Sequence, residues 1–179
     1  MRKKLGKESG FTLIELMVAI AIVAILAGIA VPMWTKWIPS YRLKAVTRNL
    51  VSTFQKAKME AARRNANVLV EFDTAVTPQT FTLFVDDGAG TGGTANDFTE
   101  NGAERIDKIS LPKFTSIDAV NFGANAGVKP VAGFTSRGLP AAKPGVSIGN
   151  GTVTLSNSKG LLRYVKISVT GNIRVDTTP

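Results

Sequence analysis

An uninterrupted apolar run near the amino terminus constrains this chain more than any other feature. Residues 16–31 carry no polar side chain, and Glu15 is a single carboxylate directly before them. The segment 11–31 has 21 residues, close to the roughly 20 that a helix needs to cross a bilayer. A carboxylate in such a segment is costly unless it has a partner. The pattern therefore predicts a membrane helix in which Glu15 has a function.

A short basic leader precedes the apolar run and ends in Gly10. In an ordinary secretory signal the cleavage site follows the apolar core, whereas here the small residue comes before it. Cleavage after Gly10 would therefore leave the apolar segment in place as an anchor. Because basic residues come first, the positive-inside rule places the leader in the cytoplasm and the residues after Pro32 outside. An uncut signal anchor is the alternative interpretation.

The residues just after the apolar run suit a membrane boundary. Pro32 removes a helix hydrogen bond and favours a kink. Trp34 and Trp37 are typical of the bilayer interface, and packing against neighbouring subunits is an equal alternative. Pro39 is expected just before a second helical segment, where proline is tolerated more easily than in a helix interior.

Residues 41–64 have the period of an amphipathic helix. Apolar side chains recur at steps of three and four residues and predict one buried face; they are Leu43, Val46, Leu50, Phe54, Ala57 and Ala61. Asn65 is expected to end the helix, because asparagine tolerates the left-handed cap conformation. The basic residues lie mostly off the stripe without interleaved aromatic rings, which favours a solvated face over a nucleic-acid surface.

The chain changes to a strand-like pattern after residue 66. Eight segments rich in β-branched and aromatic residues predict strands, at 67–73, 80–85, 105–111, 115–122, 131–136, 153–155, 161–169 and 172–176. The last two form the clearest hairpin, with Gly171 supplying the positive φ of a tight turn. The prediction is an α+β fold, in which a long amino-terminal helix packs on a carboxy-terminal antiparallel β-sheet domain.

A glycine-rich stretch, residues 86–104, separates the second and third predicted strands. Its glycines and its lack of a hydrophobic pattern predict a mobile surface loop. Its carboxylates, among them Asp86, Asp87 and Asp97, are candidate calcium ligands. Their spacing does not match an EF-hand loop, so a flexible surface loop is the favoured interpretation.

Composition narrows the function classes. The chain has no cysteine and no histidine, which excludes thiol chemistry and removes the commonest general base and metal ligand. No catalytic constellation is visible, so neither an enzyme nor a cofactor is expected. The formal net charge is +9, of which the leader contributes +3, and this excess favours either anionic partners or simple solubility.

The string Gly-Phe-Thr-Leu-Ile-Glu at residues 10–15 resembles the processing site of class III signal sequences, which belong to type IV pilins and type II secretion pseudopilins. The resemblance implies that prepilin peptidase cuts after Gly10 and methylates the new amino terminus at Phe11. It also implies that Glu15 pairs with the free amino group of Phe11 on a neighbouring subunit during assembly. Such a pair would offset the cost of two charges in hydrocarbon.

The resemblance extends to the rest of the chain. Three local patterns resemble the GspH/FimT family of minor pilins and pseudopilins: Ala-Ala-Arg-Arg-Asn at 61–65, Phe-Thr-Ser-Arg-Gly-Leu-Pro at 134–140 and Val-Thr-Gly-Asn-Ile-Arg-Val at 169–175. The type IV pilin-like fold that this implies has four regions. They are a leader (1–10), a transmembrane helix and filament core (11–32), an amphipathic continuation of the helix (33–65) and a β-rich globular head (66–179).

The function implied is that of a minor pilin or pseudopilin. Such a protein is a structural subunit of a type IV pilus or a type II secretion pseudopilus, and it acts in filament initiation or in a tip complex. Its partners would be other pilins, prepilin peptidase, the bacterial inner membrane and an assembly platform, with the head in the periplasm. The two machines use the same anchor and fold, so the choice between them stays open.

The alternative function is DNA uptake in natural transformation. FimT-like pilins that bind DNA carry Gly-Arg-Xaa-Arg in the terminal hairpin, and the matching residues here are Gly171, Asn172, Ile173 and Arg174. Asparagine stands in the place of the first arginine, which removes one phosphate contact. Lys166 and Arg163 are the further candidate DNA contacts.

Overall fold

The computed structural model describes residues 10–89, 93–122, 129–141 and 150–178. Residues 1–9 of the predicted leader lie outside the described part. The chain divides into two compact units, with the boundary between Ile38 and Pro39.

In the first unit, the described residues from Leu13 onward are helical. Helix α1 begins at Leu13 and ends at Arg64, and every described side chain from residue 10 to residue 37 is exposed. An 18-residue window of this helix has a mean hydropathy of 2.8, so by length and composition the helix can cross a membrane. Pro32 lies inside α1, and its carbonyl oxygen accepts a hydrogen bond from the Thr35 hydroxyl at 3.0 Å.

The second unit contains the rest of α1, and here one expectation is corrected. Pro39 does not precede a new helix, because it lies within α1 and is buried. The predicted stripe is confirmed, since all six of its apolar side chains are buried. The helix ends where the sequence predicts, because Asn65 follows Arg64 with φ of 52°.

Eight strands follow in the described residues, one for each predicted segment, with ends that differ by a few residues. They are β1 (Asn67–Asp73), β2 (Thr80–Asp86), β3 (Arg105–Ser110), β4 (Thr115–Asn121), β5 (Val131–Phe134), β6 (Gly151–Asn157), β7 (Leu162–Ile167) and β8 (Ile173–Asp176). They form two four-stranded antiparallel sheets with the orders β3-β2-β1-β5 and β4-β6-β7-β8. The α+β prediction is thus confirmed, and the division into two sheets is new.

The main core joins the helix to both sheets around Phe54. This side chain is fully buried, and its ring lies 6.3 Å from that of Phe72 and 6.4 Å from those of Phe122 and Phe134. Val153 and Val165 bring the second sheet into the same cluster. The apolar stripe of α1 is therefore held by burial.

A tight turn closes the β7–β8 hairpin. Gly171 has φ of +75°, and the Ser168 amide donates to the Asn172 carbonyl at 2.9 Å. The turn is fastened to α1, because Lys58 Nζ donates to the Gly171 carbonyl at 3.0 Å. A Cβ added to Gly171 would overlap the carbonyl oxygen of Gly138, so glycine is required here by both its conformation and its surroundings.

Candidate assembly and binding sites

The start of α1 is organised by Thr12 and Glu15. The amide and the hydroxyl of Thr12 both donate to Glu15 Oε2 at 3.0 Å, and the Glu15 amide donates back to Thr12 Oγ1 at 3.3 Å. This reciprocal arrangement is a capping box, which satisfies amides at the helix start that have no partner within the helix. Sequence reasoning missed Thr12, although Thr-x-x-Glu directly before an apolar run is the usual signal for this motif.

The predicted cleavage site lies just before this cap. Gly10 and Phe11 precede the helix, and the Phe11 side chain is 89% exposed. Among the described residues other than Gly10 and its chain neighbours, no atom lies within 4 Å of the position that a Cβ on Gly10 would occupy. The peptide bond after Gly10 therefore lies in open, non-helical chain, four residues before Glu15.

Two family profiles match the chain. The profile of the prokaryotic N-terminal methylation motif covers residues 5–31, which include the cap and the apolar run. The profile of the type II transport protein GspH covers residues 46–171, more than two thirds of the chain. The chain belongs to the GspH family. No curated protein and no solved structure matches it.

Membership in the GspH family confirms the resemblance to type IV pilins and pseudopilins. The two profiles together support a minor pilin or pseudopilin, which assembles with other pilins and is processed by prepilin peptidase. GspH-type pilins are structural subunits rather than enzymes. The apolar helix and the methylation motif indicate a membrane-anchored pilin.

The four candidate DNA contacts of this GspH-family chain do not form one surface. Lys166 and Arg174 are directly opposite each other in the β7–β8 register, and Lys166 Nζ forms an ion pair with Asp176 Oδ2 at 3.2 Å. Because successive side chains of a strand alternate between faces, Arg163 lies on the opposite face of β7. Gly171 lies in the turn, and its carbonyl accepts a hydrogen bond from Lys58 Nζ.

In the acidic stretch between β2 and β3, buried carboxylates accept hydrogen bonds from backbone amides of the same stretch. Asp86 is buried, and its two oxygens accept the amides of Asp97 and Phe98, each at 3.2 Å. Burial raises the pKa of Asp86, whereas the amide hydrogen bonds oppose that rise. Phe98 is only 4% exposed and packs in a small cluster with Leu69 and Phe84.

A second buried acid completes this arrangement. Glu104 accepts the amides of Gly88 at 2.8 Å and Asn101 at 3.1 Å. The sequence shows no hydrophobic pattern in this stretch, yet Phe98 is buried; the mobility of the loop stays a prediction. The sequence signal was weak, because Phe98 is an isolated apolar residue among glycines and polar residues.

The candidate calcium ligands Asp87 and Asp97 likewise accept hydrogen bonds from nearby amides. Asp87 accepts the Ala89 amide at 3.1 Å and Asp97 accepts the Thr99 amide at 2.8 Å. Within the described ranges, no three acidic side chains are gathered as metal ligands. The calcium hypothesis therefore gains no support from this geometry.

Proposed function

We propose that this chain is a minor subunit of a type IV pilus or a type II secretion pseudopilus, and that it acts in the complex that initiates the filament or forms its tip. Its head lies in the periplasm and its apolar helix in the inner membrane. Prepilin peptidase removes residues 1–10 and methylates Phe11. The observation that carries this proposal is the single carboxylate, Glu15, held at the start of an apolar helix beside the prospective new amino terminus.

The charge distribution explains how Glu15 acts in assembly. From Phe11 to Thr35, Glu15 is the only ionisable side chain. Cleavage adds one positive charge at the Phe11 amine. An isolated charge in hydrocarbon is unfavourable, and an ion pair between neighbouring subunits reduces that cost for both groups. Each subunit contributes one acid and one amine, so the pairing can continue from subunit to subunit.

The capping box supports the same role. Before assembly, Glu15 satisfies the Thr12 amide and hydroxyl, so the carboxylate has partners within its own chain. The amine of a neighbouring subunit is a charged donor, and hydrogen bonds between ionised groups are stronger than those from neutral donors. When the amine of a neighbouring subunit replaces Thr12 as the partner of Glu15, docking of that subunit changes the hydrogen bonds at the start of the helix.

The alternative, capture of DNA, remains a prediction that rests on Arg174 and its neighbours. Lys166 already pairs with Asp176, and Arg163 lies on the other face of the sheet. Arg174 is exposed and is the member of the set best placed for a phosphate. A single phosphate contact gives only a weak electrostatic contribution, so assembly is the function we favour.

The experiment that tests assembly follows the full chain in its host. An epitope-tagged chain should have the mass of residues 11–179 plus the tag and one methyl group, and it should copurify with other pilins in sheared filaments or in the pseudopilus fraction. Glu15→Val should be processed and inserted in the membrane but should be lost from that fraction. Glu60→Gln changes an acid of the same helix outside the apolar run, and it should behave like the parent.

Two outcomes would overturn the proposal. One is a filament fraction that contains Glu15→Val at the parental level. The other is a mature chain that still carries residues 1–10 and a free Met1 or formyl-Met1 amino terminus.

A further inference from the structure

A groove in the second unit runs between α1 and strand β8, and no part of the proposed function uses it. It encloses about 450 Å³. Its lining residues come from the middle of α1 and from the terminal hairpin, and they are Lys44, Thr47, Arg48, Val51, Ser52, Gln55, Arg163 and Val175. Arg163 thus belongs to this groove rather than to the face that carries Lys166 and Arg174.

The groove is cationic and has no anionic partner among its lining residues. Lys44, Arg48 and Arg163 carry three positive charges, and none of the ion pairs among the described residues includes them. The Nε of Arg163 is buried and donates no hydrogen bond. A buried donor without an acceptor is unfavourable, so an acceptor that enters the groove gains this hydrogen bond as well as the charge attraction.

The sheet offers a free edge beside the same groove. β8 is the terminal strand of the order β4-β6-β7-β8, and no further strand pairs with it in the described part of the chain. Val175, which faces the groove, is 43% exposed. An edge strand presents unpaired amides and carbonyls, and an extended segment of another chain can pair with them.

We propose that this groove binds an extended acidic segment of a neighbouring subunit. The segment adds a strand to the free edge of β8, places a carboxylate against Arg163, and has Lys44 and Arg48 beside it. Arginine and carboxylate form a geometrically specific, charge-assisted pair. Because the partner is a filament subunit, this proposal rests on the proposed function.

A protein segment fits the groove better than a nucleic acid does. The lining contains no aromatic side chain, so there is no platform on which bases could stack. The unpaired donor lies within the groove rather than on an exposed ridge, and an extended peptide beside an edge strand can direct a side chain to it. DNA is therefore the competing outcome of the test.

The test uses the full chain in uncharged detergent micelles and a fluorescein-labelled pentapeptide of alternating Glu and Val. Anisotropy should rise on binding at low salt and should fall as salt screens the charges. Arg163→Gln should weaken binding about tenfold, the loss expected for one charged hydrogen bond. Arg174→Gln is the matched control, because it removes the same charge from the opposite face of the hairpin, and it should leave binding within about twofold of the parent.

Two further peptides separate strand addition from simple charge attraction. A version with Lys in place of Glu should not bind. A version with Pro in place of one Val, which leaves the charge unchanged, should bind more weakly, because proline cannot donate to a strand ladder. Arg48→Gln provides a second variant if Arg163→Gln does not fold, as judged by its circular dichroism spectrum.

The outcomes that overturn the proposal are distinct. Equal losses from Arg163→Gln and Arg174→Gln would show non-specific attraction. An oligonucleotide that binds through Arg163 while the Glu–Val peptide does not would make the groove a nucleic-acid site. Absence of peptide binding overturns the groove proposal and leaves the filament assay of Glu15 variants untouched. A chain that binds the peptide but never enters filaments contradicts the proposed function, and with it the filament subunit as the partner of the groove.

Discussion

Glu15 and Thr12 satisfy each other at the start of α1. Glu15 Oε2 accepts the amide and the hydroxyl of Thr12 at 3.0 Å, and Thr12 Oγ1 accepts the Glu15 amide at 3.3 Å. Glu15 thus has a structural role within its own chain, in addition to the proposed charge pairing between chains. The two roles are separable, because glutamine also serves in a capping box but carries no charge.

We expect Glu15→Gln to keep the helix start and to lose filament incorporation. The amide oxygen of glutamine can still accept from Thr12, but it cannot neutralise the Phe11 amine of a neighbour. Thr12→Ala should do the reverse: it removes the cap, at a cost of about 1 kcal/mol in helix stability, and leaves the charge. Quantitative immunoblots of membrane and filament fractions measure both effects. Normal incorporation of Glu15→Gln together with exclusion of Thr12→Ala would assign the function to the cap instead.

Phe54→Ala should destabilise the second unit more than most single substitutions. The ring is fully buried and contacts three other aromatic rings, so its loss should cost about 3–5 kcal/mol. Met59 lies on the same helix and is 67% exposed, so Met59→Ala should cost less than about 0.5 kcal/mol. Urea unfolding of the full chain in detergent, followed by far-ultraviolet circular dichroism, measures the difference. Similar midpoints for the two variants would contradict the described core.

Gly133→Ala should disrupt the pairing of β1 with β5. Gly133 is opposite Leu69 in the register, and an added Cβ would overlap the Val68 carbonyl oxygen and stand 2.6 Å from the Leu69 Cα. Backbone atoms cannot move aside as side chains do, so we expect a loss of at least about 1–3 kcal/mol. Gly102→Ala is the matched control, because nothing lies within 4 Å of its added Cβ. The same unfolding measurement should find Gly102→Ala within about 0.5 kcal/mol of the parent.

The ion pairs of Lys129 predict a loss of stability in acid. Lys129 Nζ lies 2.9 Å from Asp73 Oδ2 and 3.2 Å from Glu71 Oε1, and the hydrogen bond from Lys129 holds the pKa of Asp73 below its ordinary value of 3.8. An acid whose pKa is lowered by folding stabilises the fold above its ordinary pKa, and this contribution disappears as pH falls through the folded value. The Asp73→Asn variant should therefore be less stable than the parent near neutral pH. Its free energy of unfolding should also depend less on pH below about 4.

The difference between parent and variant is the quantity to measure, because buried Asp86 contributes with the opposite sign. Folding raises the pKa of Asp86, so its effect favours the fold as pH falls. Melting temperatures of both proteins across acidic pH, repeated in a Lys129→Met background, test the assignment. In that background Asp73→Asn should have little further effect. An undiminished pH-dependent difference would show that Lys129 is not the cause.

Much of the fold was predictable because its signals are local. The stripe from Leu43 to Ala61 follows from helical period, and each strand segment follows from its own residue types. Asn65 ends α1 as expected, since its conformational tolerance is a property of the residue itself. Pro39 was placed wrongly because proline removes a helix hydrogen bond and so argues locally for a helix start, whereas in the structure Pro39 lies within α1 and is buried.

The candidate sites also divide into features that are local in the sequence and features that depend on tertiary structure. The apolar run, its single carboxylate and the preceding glycine lie close together in the chain, so the sequence by itself determined the apolar helix and supplied the membrane and processing hypotheses. Only the tertiary structure decided that the eight described strands form two sheets, that Asp86 and Glu104 accept amides from the described residues between β2 and β3, and that Arg163 lines the same groove as Lys44 and Arg48. These relationships depend on which strands pair and which side of a strand faces the helix. A shift of one residue in register would reverse that choice, and no local pattern specifies it.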